Sequence, residues 1–223
     1  MAGIKQIRPN SRTTTIAKQD IWLTDILDEY LAGTMSAPRK GVFYPSSLGN
    51  PCDRYLWLAY HGKLVDTPLP AITQRVFQCG SSLEDRVAKW FDGLGILRGQ
   101  EVPLKTDIPP ISGRIDFIIN HYNFGIMPVE LKSINKANFG KLKTAKPEHS
   151  MQLQMYLNMG NYEKGTVLYE CKDDQKLKSF IIERDVIEWD NILKRCFNIQ
   201  EMLVRPEKCT GASWCACKNI GEE

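Results

Sequence analysis

Residues 127–133 read MPVELKS and set an acid and an amine, Glu130 and Lys132, two positions apart in a short apolar run. In a strand those two side chains share one face while Val129 and Leu131 share the other. Burying either charge is costly unless it is paired or bound to metal, so the pattern means a solvated edge, a structural ion pair or a site. Upstream, GRIDF holds Asp116 among Ile115, Phe117, Ile118 and Ile119. Two carboxylates and an ammonium converging at a strand hairpin can hold a hard divalent cation through oxygen ligands and leave the Lys to orient water, the parts that phosphodiester hydrolysis needs. A third acid, Glu84, follows Gly80 by one helical turn. The bland reading is a salt bridge on a solvated hairpin and, for Glu84 in LEDR, ordinary surface charge on a helix.

These residues need elements to carry them. Helical spacing runs through 19–33, with Ile21, Leu23, Ile26, Leu27, Tyr30 and Leu31 on one side and Gly33 as the stop. A short helix is expected within 44–62, with Cys52 near its start and Gly62 at its end. Residues 73–94 predict a longer helix whose apolar side is Val76, Phe77, Gly80, Leu83, Val87 and Trp90, with Glu84 next to that side. Strands are expected near Val102, at 113–120 and at 126–133, the last two joined by a hairpin turn at 123–125 that sets them antiparallel. A helix ended by Gly160, two strands within 164–174 and 177–185, and an amphipathic helix over 186–204 stopped by Pro206 complete the pattern. The class is α/β, with no internal repeat.

The 223 residues are 43% hydrophobic and 25% charged, ample for a real core and unlike a disordered chain. A net charge of +3 permits a polyanionic partner without demanding one. Residues 1–20 lack a signal peptide's apolar core and no run is long enough to span a bilayer, so an intracellular, cytoplasmic protein with no membrane partner is expected. In that compartment the seven cysteines read as free thiols, metal ligands or cluster ligands. Cys209, Cys215 and Cys217 crowd near the C-terminus, whereas Cys79, Cys171 and Cys196 fall in predicted helices or strands and are expected to pack as small hydrophobes. The basic stretch 132–149, with Lys132, Lys136, Lys141, Lys143 and Lys146, reads either as a phosphate-binding segment with Phe139 to stack a base, or as a solvated loop and helix face.

GRIDF followed by VELKS resembles the catalytic strands of the PD-(D/E)XK nuclease superfamily, and FQCGSSLEDRV is similar to the helical motif of its RecB-like members. MQLQMY resembles the Q-x-x-x-Y motif of the same group, which Gln152 and Tyr156 would fill on one helical face. One Cys before the catalytic domain and several after it resembles the iron-sulfur branch, the CRISPR-associated exonucleases and their phage-encoded relatives. SSLGNPCDRYLWL is similar to the first ligand segment, giving Cys52, and CTGASWCACK to the last, giving Cys209 and Cys215. The pattern's final Cys would stand at Gly221, so Cys217 either supplies the fourth thiolate or the cluster is altered. Four thiolates also suit zinc.

The resemblance implies a restriction-endonuclease-like core with a mixed central sheet flanked by helices, and one nuclease domain over 1–223. Within it, 1–72 would be a helical part with the first cluster Cys, 73–185 the catalytic core, and 186–223 a last helix with the remaining cysteines. It further implies that Glu84, Asp116, Glu130 and the Leu131 carbonyl ligate Mg2+ or Mn2+, that Lys132 positions water, and that Gln152 and Tyr156 steady Lys132 or contact the strand. Cys52, Cys209, Cys215 and Cys217 would hold a [4Fe-4S] cluster that clips the two ends of the chain together. The expected reaction is hydrolysis of DNA, mainly exonucleolytic on single-stranded ends, in recombination, repair or CRISPR adaptation, with proteins of those pathways or further copies of the chain as partners. A non-catalytic DNA-binding adaptor and a structure-selective endonuclease are the alternatives.

Overall fold

A computed structural model describes residues 22–32, 40–64, 69–210, 215 and 217. Five strands form one mixed sheet in the order β1-β2-β3-β4-β5: β1 (Leu97–Asp107), β2 (Pro110–His121), β3 (Gly125–Ile134), β4 (Lys164–Cys171) and β5 (Leu177–Glu183). Tight connections keep β1, β2 and β3 antiparallel. β3 and β4 run parallel, which obliges the chain to cross over between them. The crossover is built by α5 (Lys136–Lys141) and α6 (Pro147–Met159). Pro147 sits in the first turn of α6, where its missing N–H costs nothing, and Gly160 is its C-cap.

The sheet is covered on both faces. Val129 and Leu131 of β3, with Phe117 and Ile119 of β2, pack against Leu83 and Val87 of α4 (Ala71–Gly93). The alternate residues of β3 look the other way: Ile134 joins Val167, Tyr169 and Cys171 of β4 beneath Leu153, Tyr156 and Leu157 of α6. A third cluster joins α3 (Asp53–Tyr60) and α7 (Val186–Glu201) through Leu56, Trp57, Ile192 and Ile199, with α2 (Pro45–Leu48) adding Leu48. Asp185 starts α7 by accepting hydrogen bonds from the Ile187 and Glu188 amides. Asp53 and the Leu48 and Asn50 carbonyls take the Arg195 guanidinium, so α7 is tied to the α2–α3 turn.

Several expectations need correction. The 44–62 segment forms two helices rather than one, because Asn50 and Pro51 break the run and Cys52 caps the second. The first helix, α1, spans Leu23–Leu31 and buries none of its residues; Ile21 and Gly33 lie outside the described residues. On α4 only Leu83 and Val87 of the expected stripe are buried, against the sheet. Val76, Phe77 and Trp90 are exposed, and so is Cys79, which does not pack as a small hydrophobe. Phe139 is buried, with the Lys178 ammonium 4.7 Å over its ring, so it offers no free face to a base. The last helix ends at Glu201, before Pro206. Among the described residues, no helix is long and apolar enough to cross a membrane.

Leu153 is fully buried where α6 meets the sheet. Leu153→Ala is expected to lower unfolding free energy by about 2–5 kcal/mol, the cost of a large core truncation. Chemical denaturation measures it, and a loss under about 1 kcal/mol would mean that α6 does not close this face.

Candidate active site and thiolate cluster

The β2–β3 ladder runs from His121↔Gly125 to Phe117↔Val129 and then stops. Beyond that fork the Leu131 amide would lose its strand partner. Instead it donates to Asp116 Oδ2 at 2.7 Å, so the acid replaces a ladder bond and is fixed beside β3. One residue back, Glu130 is 0% exposed, and Lys132 Nζ lies 2.5 Å from its Oε1. That short contact pairs one carboxylate oxygen with the ammonium, and Glu130 Oε2 has no hydrogen-bond partner among the described residues. A fully buried carboxylate left so under-satisfied is rare and calls for a missing cation or proton.

The electrostatics agree. Burial first, then the Asp116 charge, push Glu130 up to about 8, against the pull of Lys132. Burial also raises Asp116, opposed by the Leu131 amide and the Lys132 charge. Burial and Asp116 raise Glu84, which reaches the group from α4. Burial alone would lower Lys132, but Glu130, Asp116 and Glu84 outweigh it and the net shift is upward. The acids therefore repel one another across a common space, with one ammonium insufficient to offset them. A hard divalent cation matches that donor set of carboxylate oxygens.

Gln152 and Tyr156 stand one turn apart on α6, their side chains 3.4 Å from each other, and the Arg114 main chain hydrogen-bonds the Tyr156 hydroxyl. Burial and the Glu130 charge raise the Tyr156 pKa, keeping the phenol neutral. Neither side chain has a described hydrogen bond to Lys132. A cleft of about 460 Å3 opens at this point, lined by Tyr44, Ser46, Ser112, Arg114, Asp116 and Tyr156 among others. Among the lining residues Gly113 is closely packed: a Cβ there would lie 2.7 Å from Tyr156 Cε1 and 2.8 Å from Pro45 Cγ.

Two groups escaped the sequence reading. Glu101 falls between the pairs Gln100↔Phe117 and Val102↔Ile115, hence opposite Asp116 in the next strand, and its charge raises both Asp116 and Glu84. Its backbone is left-handed, with φ 51°, a strained state for a residue with a Cβ. His149 lies three residues before Gln152 on α6, a spacing that could have flagged it. Its Nδ1 is 2.8 Å from the Tyr169 hydroxyl, which itself accepts from the Lys146 amide, so the Tyr proton is free to go to Nδ1. Burial and the Lys132 charge bring His149 down to about 4, leaving a neutral ring.

In the core cluster shared with Leu48 and Met155, Cys52, Cys209, Cys215 and Cys217 bring their sulfurs within 4.8 Å of one another. Cys217 Sγ is 3.4 Å from both Cys209 Sγ and Cys215 Sγ. Cys52 caps α3 through the Tyr55 amide, and burial raises its thiol to about 12. At Cys217 burial is outweighed by the Cys209 main chain and the neighbouring thiols, and the pKa falls to about 7. Four sulfurs this close fit a thiophilic metal in type and number. Around one tetrahedral zinc, with bonds of ~2.3 Å, sulfurs stand about 3.8 Å apart; the separations here, 3.4 Å for two pairs and none above 4.8 Å, bracket that figure, and thiolates on a cluster of several irons spread wider. Gly221, where the family pattern would end, lies outside the described residues.

No protein-family model matches the sequence, and no curated protein matches it. Solved structures do. The protein SSO0001 superposes with a TM-score of 0.52 over 80% of this chain and 85% of its own, at 19% identity. An alkaline exonuclease from Laribacter hongkongensis matches at 0.50 over 72% of this chain and 86% of its own, at 16% identity, and its complex with dAMP at 0.50 and 18%. The fold they share with this chain is the expected α/β core, a mixed central sheet flanked by helices. At these identities the likeness concerns the fold alone.

The raised Glu130 has a stability consequence. Below its ordinary value of 4.5 the carboxyl is protonated whether folded or unfolded, and no penalty arises; above about 8 the folded protein carries the whole cost of burying the charge. In chelator, stability should therefore fall as pH rises between those limits, with Asp116 and Glu84 adding in the same direction. Glu130→Gln should flatten the fall. Thermal unfolding in EDTA across that window tests this, and parallel profiles for the two proteins would contradict it.

Proposed function

We propose that the chain is a metal-dependent DNA nuclease, chiefly an exonuclease on single-stranded ends, formed as one domain from all 223 residues. The observation that carries the reading is Glu130: a carboxylate with no exposure, paired with Lys132 alone among the described residues and raised by burial and by the Asp116 and Glu84 charges, beside a cleft that Asp116 lines. A binding module has no use for acids that repel one another in a dry space, which weighs against the adaptor alternative. The likeness of fold to an alkaline exonuclease supports DNA as the substrate class.

In this reading Glu84, Asp116, Glu130 and the Leu131 carbonyl hold Mg2+ or Mn2+, which when bound polarises a phosphoryl oxygen and makes water more acidic. Asp116 is pre-aimed by the Leu131 amide, so little reorganisation accompanies binding. Lys132, kept protonated by three acids, holds the attacking water by hydrogen bonding and meets the negative charge that gathers on the phosphoryl oxygens. The water oxygen forms the new P–O bond as the bond to the leaving oxygen breaks. Tyr156, neutral and bound to the Arg114 main chain, fixes β2 beside the reacting group, and Gln152 supports Tyr156. Recombination, repair or CRISPR adaptation is the setting to which such a single-strand activity belongs.

The four cysteines serve as a structural metal centre. The resemblance favours a [4Fe-4S] cluster; the compact sulfurs favour one zinc ion. Purified full-length protein decides between them: a brown sample containing iron and sulfide supports the cluster, and a colourless sample with one zinc per chain supports the single ion.

Glu130→Ala and Lys132→Ala are each expected to reduce Mn2+-dependent release of nucleotides from labelled single-stranded DNA by at least about a hundredfold, with the circular dichroism spectrum retained. Near-normal cleavage by either variant would sink the assignment. Circular single-stranded DNA, cut only by an endonuclease, checks the exonuclease half of the reading.

A further inference from the structure

We propose that Arg114 is a backbone-phosphate contact for the single strand in the cleft, held ready by Glu101; the inference rests on the nuclease reading above. Arg114 and Asp116 are two apart on β2 and so share a side, and both line the cleft together with Ser112. The Arg114 charge is felt at the reacting end, where it lowers the pKa of both Asp116 and Glu84. A strand entering past Arg114 therefore meets the guanidinium immediately before the acids. Without that cation, a polyanion approaching Glu84, Glu101, Asp116 and Glu130 would be repelled until metal was bound.

The guanidinium is available for the task. Its ion-pair partner is Glu101 at 3.0 Å, with side-chain exposures of 62% and 48%. Exposed pairs of this kind contribute little and exchange readily, while a phosphate offers bidentate, charge-assisted bonds to a fork of donors. Glu101 keeps that fork over the cleft when no strand is present. Glu101 holds a left-handed backbone opposite Asp116, a conformation glycine would adopt without strain, and the side chain it keeps there brings a charge to this site. The main chain of Arg114 is fixed independently by the Tyr156 hydroxyl.

The test is the salt dependence of binding. Full-length protein carrying Glu130→Gln, to prevent cleavage, is titrated with a fluorescent single-stranded oligonucleotide in Mg2+ over a range of salt. Adding Arg114→Ala should weaken binding about tenfold at low salt, alike for different sequences, and reduce the slope of log affinity against log salt by about 0.7, the loss of one phosphate contact. Arg114→Lys should keep the slope, and Glu101→Gln, which leaves the cation in place, should keep it too. A merely structural role for Arg114 would change stability without moving the slope. If the wild type cleaves DNA but Arg114→Ala leaves affinity and slope unaltered, this inference fails and the nuclease reading stands. If the slope falls but the wild type cleaves nothing in Mn2+, the phosphate contact stands and the nuclease reading fails.

Discussion

Everything at the site depends on the fork between β2 and β3. An antiparallel pair that stayed zipped would bury Asp116 and Glu130 as opposed like charges, a destabilising arrangement. By parting after Phe117↔Val129, the strands open a space between the acids, and the Asp116 carboxylate takes up the Leu131 amide that parting leaves without a strand partner. Lys132 then fills part of the space from β3 itself. The charges survive in a dry place because the backbone makes room for what must neutralise them.

The layers exist to hold that fork open in one shape. α4 anchors the apolar face of β3 through Leu83 and Val87 and delivers Glu84 between them. α6 seals the opposite face with Leu153 and Leu157 and uses the same helix to bring His149, Gln152 and Tyr156 to the site. Each helix thus spends its buried stripe on stability and the residues beside it on chemistry, so the positions of the polar groups are only as firm as the packing next to them. The thiolate centre does comparable work elsewhere: Cys52 begins α3, whose Trp57 and Arg54 side chains donate to the Met202 and Pro206 carbonyls, and the other three sulfurs follow that same C-terminal segment.

How much of this was legible depends on how local each signal is. The β2–β3 hairpin and the shared face of Glu130 and Lys132 follow from alternation and a turn, and both are properties of adjacent residues. The α/β class follows from the order of the elements, whereas the mixed sheet with flanking helices was implied by the resemblance. Glu101 was hidden, because its place opposite Asp116 comes from cross-strand register and its left-handed backbone leaves no mark in the apolar pattern. Phe139 misled, since the Lys178 that covers it arrives from β5, thirty-nine residues away. Val76 and Phe77 misled differently: the helical stripe is real, but the first turns of α4 stand against α1, none of whose residues is buried, and both side chains stay exposed. The gathering of Cys52 with the C-terminal cysteines was suggested by resemblance rather than by spacing, which is silent about residues so far apart.

Gly113 sets how closely α2, β2 and α6 meet by what it lacks. Its backbone conformation is open to any residue, so the constraint is one of bulk: the gap between the Pro45 ring and the Tyr156 ring is no wider than a hydrogen atom requires. A methyl there would act as a wedge, levering α2 away from α6 or turning the phenol off the Arg114 main chain. The seating of α2 on β2 and α6, beside the cleft, is therefore gauged by a single missing carbon.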